Sequence, residues 1–132
     1  MGPRTKRLHL TPLSRWPLFL SYTALLYAAS VLPLEQMPEV VTRANDKVLH
    51  FIDFFLLALL AFRTLALSSH SFFRLQAEGK AILFSLFYGA FLEWAQKGAA
   101  GREASFMDWS ADALGVLLAA LIFRISKLTR PS

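Results

Sequence analysis

Between Val48 and Leu67 only three ionisable side chains, His50, Asp53 and Arg63, interrupt an otherwise apolar run. Three further runs, about Pro17 to Leu32, Ala81 to Ala95 and Trp109 to Phe123, fill much of the 132-residue chain. The runs are continuous, without the alternation of a barrel strand, and a bilayer offers backbone groups no partners. They are therefore read as helices. Crossing the hydrocarbon takes about 20 residues, which the third and fourth runs reach only with their polar ends included. The spans then cover about 17–33, 48–67, 81–97 and 106–124. The expected fold is all-α: a polytopic membrane protein, one compact bundle of four transmembrane helices forming a single domain over residues 1–132.

Composition narrows the class. A hydrophobic content of 55% with twelve Phe exceeds that of an ordinary soluble domain. The net charge of +5 does not mark a nucleic-acid binder, because the basic residues cluster between the apolar runs instead of forming a stripe. With no Cys there is no disulfide, thiolate metal site or Cys nucleophile. The first run imitates a signal peptide, but it is long for one and further spans follow, so it is read as a retained helix.

Lys and Arg set the orientation. Arg4, Lys6, Arg7 and Arg15 precede the first run; Arg63, Arg74 and Lys80 flank the second connection; Arg124, Lys127 and Arg130 follow the last run. Only Arg43, Lys47, Lys97 and Arg102 occupy the other two connections, so both termini are expected in the cytoplasm. The acids lean the other way, with Glu78 the one exception.

Helical spacing then groups the polar residues. Asp46, His50 and Asp53 are related by i+4 and i+3, as are Gly89, Glu93 and Gln96, and Asp108, Asp112 and Gly115 again. Each stripe lies at the outer end of its helix and is expected to face the bundle interior or a wet cavity, since facing lipid is costly. Gly89 and Gly115 are small enough for close helix approach.

Some of these residues also have structural roles to fill. Ser105 and Asp108 form an S-x-x-D capping box, Asn45 or Asp46 suits the cap of the second helix, and Glu93 precedes Lys97 by the spacing of an intrahelical pair. Arg63 and Arg124 suit snorkelling, and Trp16, Trp94 and Trp109 suit interfacial anchoring. Asp112 lies about 6 Å beyond Asp108 along the helix, too far to cap it, and Asp53 is similarly deep. Buried carboxylates need cations, donors or protons, and Lys47, His50 and Arg102 are the available partners.

The segments "DKVLHF" (Asp46 to Phe51) and "GAFLEWAQKGAAGREASFMDWSADALG" (Gly89 to Gly115) resemble the VanZ-like family of bacterial membrane proteins. Its pattern matches Asp46, Lys47, His50, Phe51, Glu93, Gln96, Arg102, Ser105, Asp108 and Gly115 in order. Asp112 stands where Asn is usual in that family, and Asp53 where a small or apolar residue is common; both add negative charge. The resemblance implies a multi-pass protein of the bacterial cytoplasmic membrane. The family is named for an accessory protein of teicoplanin resistance, a property not carried over to this chain.

Three readings of function stay open. The first is an accessory protein whose ligand site, Asp46, Lys47, His50, Glu93, Gln96, Arg102, Ser105, Asp108 and Asp112, takes an envelope lipid, a lipid-linked phosphate or a glycopeptide-related ligand. The second is a membrane-embedded hydrolase or transferase acting on lipid-linked envelope precursors, with Glu93, Asp108 and His50 as the catalytic candidates. The third is a small transporter or structural bundle. A divalent cation is the cofactor the residues admit, with His50, Asp53, Glu93, Asp108 and Asp112 as candidate ligands. Partners are membrane lipid and a lipid-linked precursor, not nucleic acid. No H-E-x-x-H, P-loop, G-x-S-x-G or dinucleotide fingerprint occurs.

Overall fold

The computed structural model describes residues 12–99, 101 and 103–129, the side chains of 12–14 excepted. Every regular element among them is helical. Helix α1 spans Pro12–Val31, α2 Glu39–Arg43, α3 Asp46–Ala66, α4 Ser71–Arg74, α5 Ala77–Gln96 and α6 Phe106–Leu128, with a 3₁₀ turn at Leu34–Gln36. Two of the long helices, Asp46–Ala66 and Phe106–Leu128, are long and apolar enough to cross a membrane.

The boundaries differ from the apolar runs for local reasons. Helix α1 already includes residues 12–16 ahead of the apolar run, and Pro17 lies inside it. Helix α5 begins at Ala77, immediately after Gln76 turns the chain in the left-handed region at φ 55°. Helix α6 continues through Arg124 and Lys127 to Leu128, because apolar character ends there before helical hydrogen bonding does. The first connection is also more structured than a plain short loop. Pro33 and Pro38 each precede a short helical turn, which folds residues 34–43 into two compact pieces.

Helix α3 is the central element, packing against α1, α5 and α6, while α5 also contacts α1 and α6. Its buried face is Phe54, Leu57, Ala58, Ala61, Phe62 and Leu65, the i, i+3, i+4, i+7 stripe of a core-facing helix. Gly115 fixes the α3–α6 distance. A methyl group added there would overlap the Phe51 carbonyl oxygen and lie 2.9 Å from the Phe55 nitrogen. Where lipid removes the hydrophobic drive between helices, such small-residue contact provides the packing. Away from the core, Leu18, Leu25, Leu83, Phe87, Leu114, Leu117 and Leu121 are each more than half exposed. An apolar exterior this extensive is unusual for a water-soluble monomer and suits lipid.

The order of elements places the 32–45 connection at the same end of the molecule as the end of α5 and the start of α6. Gly101 sits at φ +74°, where a Cβ would lie 3.3 Å from the Leu34 side chain; a residue with a Cβ would also be strained in this conformation. The opposite end carries Arg63, Arg74, Lys80, Arg124 and Lys127, with Arg124 paired to Glu78.

Candidate functional site

The buried stripes of α5 and α6 change character along their length. On α5 the stripe runs Ala81, Ser85, Gly89, Leu92, Glu93, Gln96; on α6, starting from the end where α5 finishes, it runs Asp108, Ala111, Asp112, Gly115, Val116, Ala119. Polar and apolar residues thus share one inward face. The helix contacts that build the core also bring the acids together at the end where α5 finishes and α3 and α6 begin.

Caps fix the starts of the latter two helices. The Asn45 side chain accepts the backbone N–H groups of Lys47 at 3.1 Å and Val48 at 3.4 Å, and Ser105 Oγ accepts that of Met107 at 3.1 Å. The capping box read from Ser105 and Asp108 is not closed by Asp108. Asp108 turns across to α3, where Lys47 Nζ lies 3.4 Å from its Oδ1. The Ser105 N–H is instead accepted by Glu93 Oε2 at 2.9 Å. Glu93 is on the buried face of α5, so it turns inward to this bond and not along the helix surface to Lys97.

His50 lies at the centre of the site. Its Nδ1 is 2.8 Å from Asp112 Oδ1 and 3.8 Å from Glu93 Oε1, and its Nε2 is 3.9 Å from Asp46 Oδ1. Asp112 is 1% exposed and Glu93 7%, a depth at which an unbonded charge is costly. Yet Glu93 Oε1 and Asp112 Oδ2 have no hydrogen-bond partner among the described residues. Ligand atoms of His50, Glu93 and Asp112 lie within 4.8 Å of one another, as do those of Asp46, His50 and Asp108. Asp53 belongs to neither group; it faces α1, where Tyr22 Oη lies 3.2 Å from its carbonyl oxygen and 3.5 Å from its Oδ1.

Beside this centre is a cleft of about 290 Å³. Leu26, Leu34, Val41 and Leu92 form apolar wall, and Asp46, His50, Asp53, Gln96 and Glu103 supply polar atoms. Of the site residues read from the sequence, Asp46, Lys47, His50, Glu93, Gln96, Ser105, Asp108 and Asp112 gather at this end, and Arg102 lies outside the described residues. Tyr22 and the 34–42 wall were not singled out by sequence. Tyr22 looked like one more aromatic in an apolar run, whereas the paired prolines Pro33 and Pro38 were a readable sign of an ordered connection. Trp109, read as an anchor, donates its ring N–H to the Leu86 carbonyl at 3.1 Å and so ties α6 to α5.

A family model described as VanZ/LLP1 matches residues 2–127. No curated protein and no solved structure matches the chain.

Proposed function

Because the chain belongs to the VanZ/LLP1 family, we propose that it is a multi-pass protein of the bacterial cytoplasmic membrane that binds the polar head of an envelope lipid or lipid-linked precursor as an accessory factor. In this reading all four long helices span the bilayer, both termini are cytoplasmic, and the acid-rich end faces outward. The cleft carries the proposal. Its lining combines Leu26, Leu34, Val41 and Leu92 with Asp46, His50 and Gln96, so one ligand with an alkyl stem and a hydrogen-bonding head would satisfy both kinds of surface. At about 290 Å³ the space suits a headgroup and not a whole lipid.

Native mass spectrometry of protein purified in mild detergent tests this reading. A retained envelope-lipid mass is expected, and it is expected to be lost in Ala29→Leu, which adds bulk to the cleft wall from α1, a helix that carries none of the acids. Ligand-free protein, together with an Ala29→Leu variant that keeps the full cellular phenotype, would defeat it.

A further inference from the structure

The acids at this end are not equivalent once their partners are assigned. Asp108 faces Lys47, Asp53 is hydrogen-bonded to Tyr22, and Glu35, Glu39, Asp46 and Glu103 are exposed. Glu93 and Asp112 remain: buried, adjacent to one imidazole, each with one oxygen that has no hydrogen-bond partner among the described residues. The Ser105 N–H engages only the other oxygen of Glu93, and His50 only the other oxygen of Asp112. Space beside the free Asp112 oxygen is kept by Gly89, where an added Cβ would lie 3.0 Å from Oδ2 and 3.2 Å from the Phe54 ring.

We infer that His50, Glu93 and Asp112 form a binding site for one divalent transition-metal ion, with Zn²⁺ the best fit. The inference rests on the reading of this end as the working site, and it supplies that site's cofactor. Charge is the first argument: two carboxylates and a neutral imidazole match a dication, whereas an imidazolium offsets only one of the two acids. Geometry is the second. Neighbouring ligands bound at about 2.1 Å are about 3.0–3.4 Å apart. The distances from His50 Nδ1, 2.8 Å to Asp112 and 3.8 Å to Glu93, bracket that range. Donor type is the third, because an imidazole nitrogen beside carboxylate oxygens favours zinc-like ions over Mg²⁺ or Ca²⁺, which take oxygen almost alone. Three protein ligands leave a coordination position free. A metal there would give an otherwise anionic site an attachment point for an anionic headgroup.

The test uses full-length protein purified without a polyhistidine tag, stripped with chelator and titrated with Zn²⁺ by calorimetry, with metal content measured independently. One Zn²⁺ per chain is expected. His50→Gln, Glu93→Gln and Asp112→Asn are each expected to weaken binding by more than about tenfold, while Asp53→Asn leaves it within about threefold. Glu93→Gln keeps an acceptor for the Ser105 N–H, so this variant carries the test if His50→Gln fails to accumulate. Absence of stoichiometric Zn²⁺, or loss confined to Asp46→Asn and Asp108→Asn, overturns the assignment. Ala29→Leu separates the two readings. Zn²⁺ retained with no lipid mass in either wild type or variant leaves the metal site standing and removes the lipid reading; lipid retained by chelator-stripped wild type that cannot take up Zn²⁺ does the reverse.

Discussion

Glu93, at the end of α5, accepts the backbone N–H of Ser105 at the start of α6. The bond is 2.9 Å long and joins two helices across the turn that separates them. An acid on the buried face of the preceding helix thus performs the second half of a capping box. Removing it should leave a helix-terminal donor without its acceptor. Glu93→Ala is expected to lower stability by about 1.5–3 kcal/mol, the worth of a hydrogen bond to a charged group. Glu93→Gln, which retains a carbonyl oxygen, is expected to lose less than half of that. Thermal unfolding in detergent measures both, and equal losses would show that the Ser105 bond is not what Glu93 contributes to the fold.

Gly115 and Gly89 predict a graded response to added bulk. At Gly115 a methyl group meets the α3 backbone at Phe51 and Phe55, which cannot move aside without parting α3 from α6. Gly115→Ala should therefore cost at least the roughly 1–3 kcal/mol of an overpacked core and sharply reduce folded protein in the membrane. At Gly89 the nearest atoms belong to side chains, Asp112 and Phe54. Gly89→Ala is expected to accumulate better than Gly115→Ala. Quantifying detergent-soluble monodisperse protein for the two variants decides the order.

How legible the site was follows from the same residues. Periodicity alone grouped Glu93 with Gln96 and Asp108 with Asp112, because each pair lies on the stripe that also holds Gly89 or Gly115. A stripe continuous with the core has to face inward. What spacing on one helix did not supply was pairing between helices. Asp108 had a local role as a cap residue and Glu93 had Lys97 four residues on, yet tertiary contact turned Asp108 to Lys47 and Glu93 to Ser105. Asp53 shows the same limit: it belongs to the His50 stripe by sequence, but its side chain meets Tyr22 of α1 and not the buried acids.

That partner gives the next prediction. Tyr22→Phe removes the hydroxyl that contacts Asp53 while keeping the ring. A half-buried carboxylate losing its donor should cost about 1–2 kcal/mol, and Tyr22→Phe combined with Asp53→Asn should cost less than the two separate losses added together. A double-mutant cycle on melting temperature reads the coupling. Strict additivity would mean that Tyr22 does not support Asp53, and would return Asp53 to the candidate ligands.

The remaining prediction concerns which end faces out. The end opposite the acids carries Arg63, Arg74, Lys80, Arg124 and Lys127, and the Glu78–Arg124 pair ties α5 to α6 there. Positive residues close to helix ends are retained on the cytoplasmic side. An alkaline phosphatase domain inserted after Gly98 should therefore be active, and one fused after Thr129 inactive, with a fluorescent-protein reporter giving the opposite pattern. The polarity should also respond to charge. Replacing Arg74 and Lys80 by Gln removes basic residues from the connection between α3 and α5, so part of the population is expected to insert with activity distributed between the two reporter sites. Replacing Arg43 and Lys97 by Gln, at the acid-rich end, is expected to leave the pattern unchanged or sharpen it. Phosphatase activity after Thr129 and none after Gly98 would invert the protein, placing His50, Glu93 and Asp112 on the cytoplasmic side and excluding an outer-leaflet ligand for the cleft.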